Sequence, residues 1–197
     1  VKLVVCRQEA GAANMAEAYG KLTGRPGLCF VTRGPGATQA SVGVHTAFQD
    51  STPMILFVGD VGSDFRDREA FQEVDFTAMF APLAKWAARI DDAARIPEYV
   101  ARAFQVATSG RRGPVVLALP EDMLSKEAAV ADAKAYSPVE AHPGANDMQR
   151  LRKLLAGDVA YLTLQVPDGA RALDFYGAVL GWTAVPGTVP DGWQVDG

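Results

Sequence analysis

The sequence contains little cysteine, little histidine and no long apolar run. Only two cysteines, Cys6 and Cys29, occur among 197 residues, which excludes a disulfide framework and favours buried thiols of a cytoplasmic protein. Two histidines leave little material for a His-rich metal site. No stretch reaches the roughly 18 uninterrupted apolar residues of a membrane span. The chain is instead long enough to bury the core of a globular domain, and 49% of its residues are hydrophobic.

The chain also lacks a strong excess of either charge. A net charge of −4 argues against nucleic acid as a main partner. Residues 1–157 carry 18 basic and 18 acidic side chains, whereas residues 158–197 carry five acids and one base. The whole net charge therefore lies in the last 40 residues, which predicts two pieces of different origin.

Short apolar runs alternate with helix-period segments through the first 120 residues. The predicted strands cover 3–6, 28–32, 53–58, 85–90 and 114–119, and the predicted helices cover 8–22, 37–48 and 93–108. Because the strands are continuously apolar, both faces of the sheet should be covered. The pattern predicts an α/β fold, a parallel sheet wrapped by helices. Ligands of such sheets bind beyond the carboxyl ends of the strands.

Two segments that follow strands in this pattern are candidate sites. Glu9 opens the first helix, where the helix dipole alone favours a carboxylate. The small residues after it would let another molecule approach. The segment from Gly34 to Gln39 superficially suggests a dinucleotide fingerprint, but Gln39 replaces its third glycine and Pro35 removes a backbone donor. A plain tight turn is favoured there, and a generic nucleotide-binding domain stays open as an alternative.

Taken together, six segments closely resemble the pyrimidine-binding domain of thiamine-diphosphate enzymes of the acetolactate synthase type. The resemblance covers about residues 1–157, and its segments are 7–13, 32–38, 49–54, 70–75, 108–115 and 119–122. It implies that Glu9 hydrogen-bonds the ring nitrogen of the cofactor's aminopyrimidine and so activates the cofactor. The complete enzyme would decarboxylate a 2-oxo acid such as pyruvate and condense it with a second carbonyl, as in branched-chain amino acid biosynthesis.

The same resemblance assigns the other site residues. Pro35 and Gln39 would lie along the pyrimidine, and Phe71 and Gln72 would lie near the reacting centre, with Gln72 also touching the cofactor. Two positions depart from the family pattern, which usually has Asn at position 39 and commonly has Gln at position 60. Here Gln39 lengthens the amide, and Asp60 adds a charge at the end of a strand.

The resemblance also implies parts that the sequence lacks. The family fold begins with one more strand and helix, so we expect an N-terminally truncated domain with an unpaired sheet surface. No Gly-Asp-Gly turn occurs, so Mg²⁺ and the diphosphate would be held by a domain absent from this chain, and FAD is possible in the complete enzyme. We expect the chain alone to be inactive, and a homo-oligomer or a pairing with a full-length relative to complete the site. A non-catalytic module that pairs with such a relative is the alternative.

The last 40 residues resemble the start of a glyoxalase-like, vicinal oxygen chelate module. The similarity lies in 161–168, 172–176 and 179–182, and a short βαβ-like tail is expected. Gln165 is the single candidate ligand, and we predict no metal site. The predicted divisions are a pyrimidine-binding domain at 1–124, a linker and the start of a central domain at 125–157, and the tail at 158–197.

Overall fold

The computed structural model describes residues 3–134, 136–137, 139, 141–158, 169–181, 183–186 and 193–196. Two compact units are present, Val1–Glu140 and Ala141–Gly197. The larger unit contains four strands, β1 (Gly27–Val31), β2 (Met54–Asp60), β3 (Trp86–Arg89) and β4 (Pro114–Pro120). Its helices are α1 (Glu9–Thr23), α2 (Pro35–Gln49), α3 (Phe76–Phe80), α4 (Ile96–Thr108) and α5 (Glu121–Leu124), with 3₁₀ turns at Ser63–Phe65 and Ala93–Arg95.

The four strands form one parallel sheet in the order β1–β2–β4–β3. Helices cover both faces, which confirms the predicted α/β fold. The first five residues of β2 are all buried, and so are the first five of β4, because these two inner strands are covered on both sides. In the register, Val31 of β1 is opposite Val58 of β2, and Asp60 of β2 is opposite Pro120 of β4.

One face of the sheet is covered by α1 and α2, which approach each other through small residues. A Cβ on Gly43 of α2 would lie 2.6 Å from the Cβ of Ala13 on α1, so the two helices touch where both side chains are minimal. Side chains of α3 complete this core, and α4 covers the other face. Cys29 lies in the first core, where burial raises the pKa of its thiol to about 11.

The predicted first strand at 3–6 is wrong. These residues are irregular, and Leu3, Val4 and Val5 are exposed, since no strand among the described residues pairs with them. A strand needs a ladder partner for its backbone groups, and an apolar run alone does not supply one. Cys6 is consequently half-buried, in contrast to the buried thiol that we expected.

The edge strand β1 is covered on one face only. Phe30 is 63% exposed and stacks on Phe57 of β2 with ring centroids 4.5 Å apart. Leu28 is exposed on the same side of β1, because side chains two residues apart share a face. The apolar sheet surface expected from the resemblance is therefore present at β1.

The smaller unit contains α6 (Ala145–Asp158), α7 (Gly169–Leu180) and the strands β5 (Thr183–Pro186) and β6 (Trp193–Asp196). These two strands form an antiparallel pair with Thr183 opposite Asp196. Residues 159–168, which contain Gln165 and the start of the expected βαβ-like tail, lie outside the described residues. Among the helices that the structure describes, none has the length and apolar character needed to cross a membrane.

Candidate functional site

The carboxyl ends of β1, β2 and β4 are joined by polar contacts at one edge of the sheet. Arg33, two residues after β1, donates from Nη1 to Glu121 Oε2 at 3.0 Å and to the carbonyl oxygen of Asp60 at 3.4 Å. Asp122 Oδ1 accepts from the backbone N–H of Ser63 at 3.0 Å. The segments after the strands therefore meet at the edge where parallel sheets bind ligands.

Glu9 lies at this edge, in the first turn of α1. Gln8 caps the helix, since its side-chain Oε1 accepts from the backbone N–H of Gly11 at 3.0 Å. The Glu9 side chain is half-buried, and its carboxylate has no hydrogen bond or ion pair with any residue that the structure describes. A partly buried carboxylate without a partner remains available to bind a ligand.

The turn between β1 and α2 passes close to Glu9. Gly34 has φ +56°, a conformation that disfavours residues with a side chain, and Pro35 starts α2. A Cβ on Gly36 would lie 2.7 Å from Thr32 Cγ2 and 3.7 Å from Glu9 Cγ. Position 36 is therefore closely packed against Thr32, and the Glu9 side chain lies within van der Waals distance of the turn.

The loop between the 3₁₀ turn Ser63–Phe65 and α3 reaches the same turn. A Cβ on Gly34 would lie 2.7 Å from the Cβ of Gln72, so the loop backbone packs directly on the glycine. Gln72 is half-buried, whereas Phe71 beside it is 83% exposed. An exposed phenylalanine at the edge of a site is a surface for a ligand or partner to cover.

The contacts connect most of the residues that the sequence singled out. Glu9 borders Gly36, and Gln72 borders Gly34, so α1, the turn and the loop are placed side by side. Pro35 and Gln39 lie in the first turns of α2 and are both exposed. The turn at Gly34 is a tight turn that leads into a helix, as the missing third glycine predicted.

Asp60 ends β2 inside this region and is paired with a cation that the sequence analysis missed. Its carboxylate Oδ2 lies 3.2 Å from Arg89 Nη1, and Oδ1 accepts from the backbone N–H of Val61 at 2.8 Å. Both side chains are buried, with 5% and 10% of their surface exposed. Burial raises the pKa of the Asp60 carboxyl, and the Val61 N–H and Arg89 oppose that rise.

Arg89 is also near a second acid. Its Nε lies 2.8 Å from Asp91 Oδ1, but this ion pair lacks a well-directed hydrogen bond. The signal for the pairing with Asp60 was present in the sequence, because an arginine inside a predicted strand requires a carboxylate nearby. A cavity of about 80 Å³ lies beside the pair and extends to Arg66 and Glu73.

Comparison with known proteins gives one matching family model. Residues 1–79 match the model of the thiamine pyrophosphate enzyme, N-terminal TPP binding domain. That segment contains all five predicted site residues. The match therefore coincides with α1, α2, the turn between β1 and α2, and the loop that packs on it.

Several curated proteins are similar to this chain, and all those that follow are acetolactate synthases. The enzyme of Bacillus subtilis (strain 168) is 34% identical over 146 residues, which are 74% of this chain and 26% of the relative. The mitochondrial catalytic subunit of Aspergillus candidus is 41% identical over 120 residues, 61% of this chain and 17% of the relative. The large subunit of Lactococcus lactis subsp. lactis (strain IL1403) is 40% identical over 127 residues, 64% of this chain and 22% of the relative.

The chain thus spans about a quarter or less of the length of these relatives. The aligned part corresponds to their TPP-binding N-terminal domain, and the parallel four-stranded sheet with flanking helices is consistent with that domain. Residues 1–79 of this chain thus match the N-terminal TPP binding domain of thiamine pyrophosphate enzymes, and the chain is similar to acetolactate synthases.

Proposed function

We propose that the larger unit supplies the pyrimidine side of a thiamine diphosphate site, with Glu9 as its catalytic residue. The observation that carries the proposal is the half-buried Glu9 carboxylate, which has no partner among the described residues and belongs to a side chain that lies beside the turn between β1 and α2. A carboxyl oxygen of Glu9 would share a proton with the ring nitrogen of the aminopyrimidine. Where water is excluded, one short charge-assisted bond has a large effect on that proton.

The remaining site residues would orient the cofactor and the substrate. Pro35 and Gln39, exposed at the start of α2, would lie along the pyrimidine ring. Phe71 and Gln72 would lie near the reacting atoms, where the phenyl ring would exclude water. Thiamine diphosphate, when bound, supplies the electron sink for decarboxylation of a 2-oxo acid such as pyruvate. The complete enzyme would then join the product to a second carbonyl compound.

We propose that a second protein domain completes the site. Mg²⁺ and the diphosphate would be held by that domain, and FAD would belong to the complete enzyme where it is used. This domain would come from a full-length relative, so the chain alone should not turn over pyruvate. The similarity of residues 158–197 to a glyoxalase-like module stays a prediction, as does the three-part division of the chain.

A complementation experiment tests this function. A full-length acetolactate synthase whose glutamate equivalent to Glu9 is replaced by glutamine is mixed with this chain, thiamine diphosphate, Mg²⁺ and pyruvate. We expect the chain to restore turnover, and Glu9→Gln of the chain to lower the restored rate at least a hundredfold. Glu127→Gln, an exposed change, should restore turnover like the unmodified chain.

Other outcomes separate the alternatives. If the chain co-purifies with the relative but restores no turnover, the non-catalytic pairing module replaces the catalytic proposal. If Glu9→Gln restores turnover as well as the unmodified chain, Glu9 does not have the role assigned here. Turnover by the purified chain alone, abolished by Glu9→Gln, would overturn the need for a second domain.

A further inference from the structure

The loop of residues 66–75 adopts an unusual backbone conformation. Asp67, Glu69 and Gln72 have φ values of 61°, 55° and 65°, in the left-handed region that residues with a side chain rarely adopt. Only one other non-glycine residue of the described part, Ser51, shares this property. Three such residues within six positions persist only when surrounding contacts hold them.

The Glu73 carboxylate supplies those contacts. Its Oε1 accepts from the backbone N–H of Asp67 at 2.6 Å, and its Oε2 accepts from the backbone N–H of Ala70 at 2.9 Å. The Glu73 backbone N–H in turn donates to the carbonyl oxygen of Ala70 at 2.9 Å. The two carboxylate oxygens of Glu73 thus join Glu73 to two other positions in the same loop.

The loop held in this way carries two of the proposed site residues. Gln72, in the left-handed conformation, directs its Cα and Cβ against Gly34, where an added Cβ would lie 3.2 Å and 2.7 Å from them. Phe71, next to it, is turned outward. The contact of Gln72 with Gly34 therefore depends on a backbone conformation that Glu73 maintains.

We propose that Glu73 is a positioning residue, whose ionised carboxylate holds the loop so that Gln72 and Phe71 stand against the Gly34 turn. The inference rests on the proposed function for the part that these two residues play in the site. Glu73 itself touches neither Glu9 nor the turn in any contact recorded among the described residues. It acts through the two residues before it.

The charges around Glu73 define its pH dependence. Backbone N–H groups, first those of Ala70 and Asp67, lower the pKa of the Glu73 carboxyl. The titratable and charged groups near it are Asp60, Arg66, Asp67, Arg68, Asp75 and Arg89. Since the folded pKa is lowered, the loop contacts are complete above the ordinary glutamate pKa of about 4.3 and are lost as pH falls through the lower value.

Nuclear magnetic resonance of the full chain, without cofactor, tests the proposal. In Glu73→Gln one acceptor oxygen becomes an NH₂ group, which faces a backbone donor. We expect the exchange protection of the Asp67 or Ala70 amide to fall roughly tenfold or more, and the Overhauser contact between Gly34 and Gln72 to disappear. Glu69→Gln makes the same chemical change in the same loop, at a side chain with no recorded partner, and should leave both signals unchanged.

The outcome that overturns the proposal is a Glu73→Gln chain that keeps the Gly34–Gln72 contact. An acid titration of the unmodified chain provides a second measurement if that variant does not fold. The contact should fade along the titration curve of the Glu73 carboxyl while the amides of β2 and β4 stay protected. A contact that survives protonation of Glu73 would also overturn the proposal.

The complementation experiment separates this inference from the proposed function. If complementation succeeds, Glu73→Gln should lower the restored rate at least tenfold. In a chain that already carries Gln72→Ala, the same change should lower the rate little further. Full additivity of the two changes would show that Glu73 does not act through Gln72. If complementation fails altogether, the proposed function is withdrawn, whereas the loop measurements still decide whether Glu73 positions Gln72.

Discussion

At the scale of single residues, Gly34 is the point where the loop and the turn touch. Both its φ of +56° and its contact with Gln72 favour glycine at this position. Gly110 has nearly the same φ, +54°, but an added Cβ would meet nothing within 4 Å. Gly34 also has ψ −116°, outside the left-handed helical region, so an added side chain there meets a backbone cost as well as the cost of the contact.

We predict that Gly34→Ala lowers the free energy of unfolding by about 2–4 kcal/mol and that Gly110→Ala lowers it by about 1 kcal/mol. The difference arises because the Cβ of Gln72 and its backbone must move away in the first variant only. Urea unfolding followed by circular dichroism measures both values. Equal losses would show that the loop does not pack on Gly34 in solution.

The buried pair of Asp60 and Arg89 gives a second prediction at this scale. Asp60→Asn leaves a buried guanidinium without its main partner, so we expect a loss of about 2–3 kcal/mol in the free energy of unfolding. The expected loss is smaller than the loss for a buried ion pair with no other charge nearby, because Asp91 Oδ1 remains 2.8 Å from Arg89 Nε.

Glu98→Gln is the matched control for Asp60→Asn. It removes the acid of an exposed pair with Arg95, three residues away on the surface, and should change stability little. Urea unfolding compares the two variants. If Asp60→Asn is as mild as Glu98→Gln, water replaces the buried pair without cost.

The sequence singled out Glu9 and Gln72 as candidate site residues, but it did not indicate the loop contacts of Glu73. Glu9 follows from its place at the start of a helix and from a resemblance carried by short motifs. The action of Glu73 depends on three left-handed residues around it, and no periodicity of side chains encodes these. Arg89 was a charge in a predicted strand, and its partner became visible only through the register of β3 with β4 and of β4 with β2.

At the scale of elements, the carboxyl-terminal end of α4 is capped by a lysine from another segment of the chain. Lys85, just before β3, donates from Nζ to the carbonyl oxygens of Val106 and Ser109 at 2.6 Å and 2.5 Å. The last carbonyl groups of a helix lack internal partners and carry partial negative charge, so an ammonium group stabilises this end. Partial burial lowers the pKa of the Lys85 amine.

We predict that Lys85→Met lowers the free energy of unfolding by about 1–2 kcal/mol, because the methionine keeps the apolar stem but not the donor. Lys126→Met is the control, since Lys126 pairs with Asp122 on the surface four residues away and should contribute about 0.5 kcal/mol or less. Thermal unfolding of both variants provides the comparison. Amide exchange should additionally increase at residues 106–109 in Lys85→Met alone.

Sequence patterns predicted all four strands of the parallel sheet to within two residues at each end. β2 and β4 are buried on both faces, so their continuous apolar runs identify them within two residues at each end. The run at 3–6 has the same apolar character and forms no strand, because pairing depends on a neighbouring strand. Helix α3 was missed, since it has only five residues and follows its N-cap residue, Asp75, at the end of a charged loop.

At the scale of the whole molecule, the larger unit includes residues after 124, up to Glu140. Tyr136 lies against α4, where its hydroxyl contacts Thr108 Oγ1 and its ring is 6.2 Å from that of Phe104. The polar segment before it, residues 125–134, is exposed. After this exposed segment, the chain thus packs an aromatic side chain against α4 of the larger unit.

We predict that residues 1–140 unfold as one cooperative unit and that residues 1–124 are less stable by about 1 kcal/mol, because the aromatic contact is lost. Tyr136→Ala in the longer chain should reproduce the same loss. Calorimetry of the three proteins measures it. Identical transitions would place the end of the domain at 124, where the sequence predicted it.

The all-parallel sheet also determines how the chain must fold. Its strand pairs join residues far apart in the chain: Gly27 pairs with Met54, Trp86 with Val115, and Met54 with Pro114. No hairpin can nucleate such a sheet, so each pairing must first close a loop of tens of residues. Folding should accordingly be slow for a domain of this size. During synthesis the apolar strand β2 emerges long before β4 can cover it, which makes β2 the segment that depends most on chaperones.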